Sequence, residues 1–125
     1  MSPASENLLA FIAAAVAPAA ITGLLFLAAL GPAGFFLGFL FAFLLAGAHV
    51  ALLAFPIYAA LSRRREPGPA LVLASSFLIG AVPLPLLFGL EQWGEGFLFF
   101  GLFGVSGGIA FVLVSAWPAE DRGGR

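Results

Sequence analysis

His49 is the single histidine of a 125-residue chain. It stands within Leu8 to Leu61, a stretch with no Asp, Glu, Lys or Arg. An ionisable group in such surroundings is costly to keep, and such groups serve as proton relays, pH-sensitive gates or cofactor ligands. On an ideal helix His49 falls within about 20° of Ala42 and Pro56, at heptad spacing. It is therefore expected to face a seam of small residues. The plain structural reading is a neutral imidazole hydrogen-bonded to a neighbouring helix, at Ser75, Ser76, Thr22 or a carbonyl freed by proline. That reading ranks above the chemical ones. A haem or chlorin ring needs room over the preceding turn, and Leu45 stands there, so no cofactor is expected.

The remaining candidates are sparse. Tyr58 carries the one phenol and reads as an interfacial anchor. Pro83 and Pro85 interrupt an apolar run, and broken helices line ion or substrate sites in transporters. A simple kink is the more frequent outcome. Glu91 and Glu95 are four apart but flank a Gly-rich turn, so a solvated loop is favoured over a catalytic pair. Gly104-Val105-Ser106-Gly107-Gly108 lies in an apolar run, which argues against a phosphate cradle. Cysteine is absent, which removes disulfides, thiolate metal sites and Cys nucleophiles. No nucleophile–base pair or metal-ligand cluster is present, and the expectation is that the chain is not an enzyme.

The elements that position these residues follow from composition. The chain is 62% hydrophobic and 9% charged, which places it in the membrane class. Its apolar runs are continuous rather than alternating, so barrel strands are disfavoured. Backbone groups in lipid must be paired within their own segment, which leaves helices. A crossing needs about 20 residues. The first charge-free run fits two, divided at Gly31-Pro32-Ala33-Gly34. The fold class expected is all-α: a polytopic membrane protein, a four-transmembrane-helix bundle with proline-kinked helices, filling residues 1–125 as one domain. The spans are placed at 8–30, 33–61, 69–90 and 96–117. Ser5 is expected to cap the first helix, and Pro69 to open the third. Met1–Asn7 has no basic residue and carries Glu6, so a cleaved signal peptide is disfavoured.

All five basic residues are Arg. Arg63, Arg64 and Arg65 follow the second span, and Arg122 and Arg125 follow the fourth. With four spans both groups fall on one side, and the positive-inside rule puts that side, with both termini, in the cytoplasm. The Arg loop reads as a topology signal that can also hold anionic lipid headgroups. Trp93 and Trp117 would mark the outer and inner interfaces. No basic stripe suggests nucleic acid.

Helices in lipid associate through close backbone approach at small residues. Gly34, Gly38, Ala42 and Ala46 form such a ridge in the second span. Gly101, Gly104 and Gly108, with Ser115, form one in the fourth. Ser76 and Gly80 serve the third, and Ala13/Ala17 or Ala15/Ala19/Gly23 the first. Phe35, Phe36, Phe39, Phe41 and Phe43, with Phe97, Phe99, Phe100 and Phe103, are expected mostly to face lipid or to fill gaps. Gly34–Gly38 and Gly96–Gly101 echo each other, but chance in an apolar sequence outweighs duplication.

The segment from His49 to Arg65, with Pro56 and Tyr58, then Gly80-Ala81 and Gly107-Gly108 before Phe111, resembles small uncharacterised four-span bacterial inner-membrane proteins. The resemblance implies a multi-pass protein of the bacterial inner (cytoplasmic) membrane. Small multidrug transporters are similar in size, but they carry a Glu in the first span and this chain does not. The expected partners are membrane lipid and other membrane helices. The expected role is a small accessory subunit or homo-oligomer acting by helix association, with a small dimeric transporter or channel using His49 and a broken third helix as the alternative.

Overall fold

The computed structural model describes residues 3–63, 67–83 and 93–116. Helix is the secondary structure of the described residues, and no strand occurs among them. The backbone is helical over Pro3–His49 except at Gly31, whose φ of 74° and ψ of −165° are not helical. We call the limb before this break α1 (3–30). The limb after it, α2 (32–62), continues through a π-helical turn at Val50–Ala54 and the α-helix Phe55–Ser62. The third helix, α3, spans Pro69–Ala81, and the fourth, α4, spans Trp93–Ala116.

Gly31 makes the reversal. Its conformation belongs to a region open essentially to glycine. Pro32 then starts α2, where a missing N–H costs nothing and φ is pre-set. The two limbs fold back on each other. A Cβ on Gly38 would come within 2.8 Å of the Phe26 ring, and one on Gly23 within 3.1 Å of the Phe35 ring. Phe11 of α1 meets Phe55 and Tyr58 of α2, each at 5.6 Å between ring centroids. These pairs run in opposite senses, so α1 and α2 form an antiparallel hairpin.

The helices α3 and α4 are joined by glycine. A Cβ on Gly104 would overlap the Ser76 carbonyl oxygen, and one on Gly80 would overlap the Phe100 carbonyl oxygen. Gly101 lies on the Phe77 ring, and a Cβ on Gly108 would reach Ser76 Oγ at 2.6 Å. The pairing 76 with 108 and 80 with 100 makes this crossing antiparallel too.

Two stretches are long and apolar enough to cross a membrane: Asn7–Ser62, which contains the Gly31 break, and Gly94–Ala116. Several expected boundaries move. Helix α1 is helical from Pro3, so Ser5 lies inside it and is no N-cap. Helix α4 begins at Trp93 rather than Gly96. Helix α3 closes at Ala81, and Val82 forms the turn after it. Pro83 follows in the described chain, whereas Pro85, Glu91, Arg64, Arg65, Trp117, Arg122 and Arg125 lie outside the described residues.

Few residues are sealed. The buried apolar set among the described residues is Ala10, Phe11, Ala15, Ala19, Ala81 and Phe111. Large apolar side chains stand outward instead, with Leu52 73%, Phe36 71% and Phe41 70% exposed. The sequence expectation that the Phe residues turn outward holds for Phe36, Phe41 and Phe99. Phe35 and Phe39 are half-buried and stacked at 6.0 Å, as gap-filling rings.

Gly31→Ala should destabilise the hairpin by about 1–3 kcal/mol, the usual cost of forcing an L residue into that backbone region. Unfolding in mixed detergent micelles, followed by far-UV circular dichroism, measures it. An unchanged midpoint would mean that the reversal does not depend on glycine.

Candidate functional site

The four described helical limbs line an open apolar cavity of about 280 Å³. Small residues form part of its wall. Ala14 and Pro18 come from α1, Ala42 and Ala46 from α2, Gly80 from α3, and Gly104 and Gly107 from α4. Phe100 and Phe103 close one flank. Three side chains with polar atoms reach it: Thr22, His49 and Ser76. The cavity thus gathers the only histidine of the chain and one of the two adjacent serines of α3.

His49 is half-buried. Its Nδ1 lies 2.7 Å from the carbonyl oxygen of Leu45, one turn back in the same helix. A carbonyl only accepts, so Nδ1 carries a proton, which in a neutral ring leaves Nε2 as an acceptor. The expected bond to a neighbouring helix is therefore corrected: the partner is the ring's own helix. The reason is geometric, because side chains on a helix lean toward the preceding turn. Nε2 has no hydrogen-bond partner among the described residues.

The expected facing of His49 is half right. Ala42 shares the cavity with it, but Pro56 is exposed and does not. The π-helical turn at Val50–Ala54 lies between them. The Phe55 N–H bonds back to the Val50 carbonyl, one residue further than in an α-helix, so every residue beyond is rotated off the ideal heptad line. Pro56 is the cause available in the sequence, since its ring collides with the carbonyl four residues earlier and a wider turn relieves this.

The other hydroxyls also turn inward on their own helices. Thr22 Oγ1 donates to the Pro18 carbonyl at 2.9 Å, Ser75 Oγ to Val72 at 2.9 Å and Ser106 Oγ to Phe103 at 2.7 Å. Ser76 packs against Gly108 instead. Tyr58, expected as an interfacial anchor, sits half-buried in an aromatic cluster with Phe11 and Phe111, its ring 5.2 Å from that of Phe111. Phe11 and Phe111 are 4.9 Å apart and form the heart of the buried core.

The expected seams come together in part. On α2 the ridge is divided: Gly34 and Gly38 pack on Phe26 of α1, while Ala42 and Ala46 face the cavity. On α4, Gly101, Gly104 and Gly108 all pack on α3, whereas Ser115 is exposed. Arg63 is exposed at the end of α2, and Glu95 is exposed in the first turn of α4. Among the described residues no group of three His, Cys, Asp or Glu is placed to hold a metal ion.

Gly107 is not among the packing positions that the sequence suggests, yet it makes a backbone contact between α4 and α1. A Cβ there would lie 2.6 Å from the Ala14 carbonyl oxygen. That oxygen would normally accept from residue 18, which is proline and has no N–H. The signal was in the sequence: a proline four residues after a small residue marks a carbonyl free for a neighbouring backbone. Comparison with protein-family models, curated proteins and solved structures finds no match to this chain.

Gly107→Val should part α1 from α4, since the obstacle is backbone and cannot rotate away. Gly47→Ala meets no neighbour within 4 Å and should leave the fold intact. Unfolding midpoints of the two variants in one detergent make the comparison, and equal midpoints would refute the Ala14–Gly107 contact.

Proposed function

We propose that this chain is a multi-pass protein of the bacterial inner membrane that works by helix association, as a small accessory subunit or a homo-oligomer, without catalysis. In this reading α1, α2 and α4 are each a crossing and α3, thirteen residues from Pro69 to Ala81, supplies the helical part of a further one, with both termini and the Arg63–Arg65 loop cytoplasmic. The supporting observation is the outward face of α2. Leu44, Ala48, Ala51, Leu52 and Phe55 are all exposed there. The two alanines sit between large apolar neighbours, so a second helix can approach closely at that level and be gripped on either side. A face of this kind gains little from lipid, whose tails fill space between large side chains but leave small ones poorly packed.

A second reading, a small transporter or channel, draws on the cavity that holds His49. In empty liposomes that reading requires a solute flux that His49→Ala abolishes; flux indifferent to that change removes His49 from it.

The chain contains no cysteine, so single-cysteine variants in native membranes test the main reading. A membrane-impermeant maleimide added outside should label Gly94→Cys and spare Ser62→Cys. Oxidation should give a discrete adduct from Ala48→Cys and none from Ala81→Cys, which is buried. Labelling of Ser62→Cys would overturn the topology. Failure of every cysteine on the Leu44–Phe55 face to form an adduct would overturn association.

A further inference from the structure

The cavity and the free nitrogen of His49 carry one step more. We infer that the cavity is a binding site for a neutral, hydroxyl-bearing apolar molecule of the lipid phase, whose O–H donates to His49 Nε2. This inference rests on the bilayer placement proposed above and is independent of association.

Three observations lead to it. First, the volume of about 280 Å³ lies near the lower end of the range of ligand pockets, roughly 300–1,000 Å³, whose walls are mainly apolar with a few placed polar groups. Second, the lining cannot hold water in bulk. A confined water needs about two to four polar partners, and the side chains here offer only Thr22, His49 and Ser76. Thr22 has already spent its proton on Pro18. Third, the bond from His49 Nδ1 to Leu45 fixes the tautomer. Nε2 is then an acceptor without a donor among the described residues. A ligand with an O–H supplies that donor.

Depth narrows the class. At 1.5 Å per residue, His49 lies roughly 20 Å along α2 from Ser62 and roughly 25 Å from Pro32. It is thus near the middle of the limb. A charged or zwitterionic headgroup at that depth carries a heavy desolvation penalty. A single hydroxyl costs far less, and the bond to Nε2 offsets it. The occupants that satisfy both limits are slender neutral molecules with one hydroxyl, such as long-chain alcohols.

The single histidine makes the test direct. The full-length protein, labelled with ¹⁵N-histidine and reconstituted in phosphatidylcholine vesicles, gives one imidazole signal pair. Titration with 1-decanol should shift the unprotonated Nε2 resonance upfield and saturate. Decane, of matching chain length but without a donor, should produce no shift and should compete the decanol shift away. Ala46→Phe and Ala42→Leu each fill the cavity from the α2 wall and should abolish the response. Vesicle flotation is run on every sample. Protein that floats but shows no saturable shift with decanol overturns the site, as does a shift that persists in both cavity-filling variants. Protein that fails to float overturns the bilayer placement itself, and the site with it.

Discussion

A backbone carbonyl or amide with no water beside it must be paired by the chain itself, and most of this structure follows from that constraint. Long helices satisfy it everywhere except where proline intervenes. Each proline inside a described helix is met by a local repair. At Pro18 the helix continues unbroken, and the oxygen left over on Ala14 is covered by the backbone of Gly107. At Pro56 the preceding turn widens to a π-helix, so that Phe55 bonds to Val50. At Gly31-Pro32 the helix is abandoned and restarted. Only the last reverses the chain. The difference is glycine: without a residue able to adopt positive φ before it, a proline bends or widens a helix but does not fold it back.

Polar side chains obey the same constraint. Thr22, His49, Ser75 and Ser106 all bond to carbonyls three or four residues back in their own helix. Such bonds add nothing between helices. Contact between helices is therefore left to shape, and glycine dominates it. Where α3 crosses α4, the backbones of Gly80 and Gly104 touch. Dispersion between closely fitted surfaces is small per atom and falls steeply with a gap. One added methyl at such a crossing is thus worse than a missing one.

This division explains what could be read in advance. The helical class, the reversal at Gly31 and the packing role of Gly34, Gly38, Gly101, Gly104 and Gly108 were legible, because each depends on local chemistry. So was the sharing of a face by Ala42 and His49. The direction of Pro56 was not, because the π turn shifts the register in a way that ideal periodicity cannot contain. The Leu45 bond of His49 was not legible, because residue spacing does not show whether a ring turns to its own helix or to a neighbouring one. The cluster of Phe11, Tyr58 and Phe111 left no trace in the sequence. Its members lie about a hundred residues apart at the extremes, and an apolar chain this rich in Phe has no contrast to mark the buried ones.

The cavity follows from the same geometry. Small residues pack only where backbones can approach, and approach at one level is limited by what stands at the next. Phe11, Phe55, Tyr58 and Phe111 prop the limbs apart at the end where α2 closes. Phe26 and Phe35 fill the hairpin beside Gly31. Between these two aromatic levels the α2 wall is Ala42 and Ala46, and across the gap from it stand the close crossings of Gly80 with Gly104 and of Gly107 with Ala14. A void is the necessary result of small residues held between large ones. Replacing Ala42 or Ala46 by Leu would fill the space at no cost to helix formation, whereas Gly80, Gly104 and Gly107 are small because a neighbouring backbone lies against them. That small residues occupy both sides of the gap, with His49 at its edge, is the physical ground for reading the space as a site rather than a packing fault.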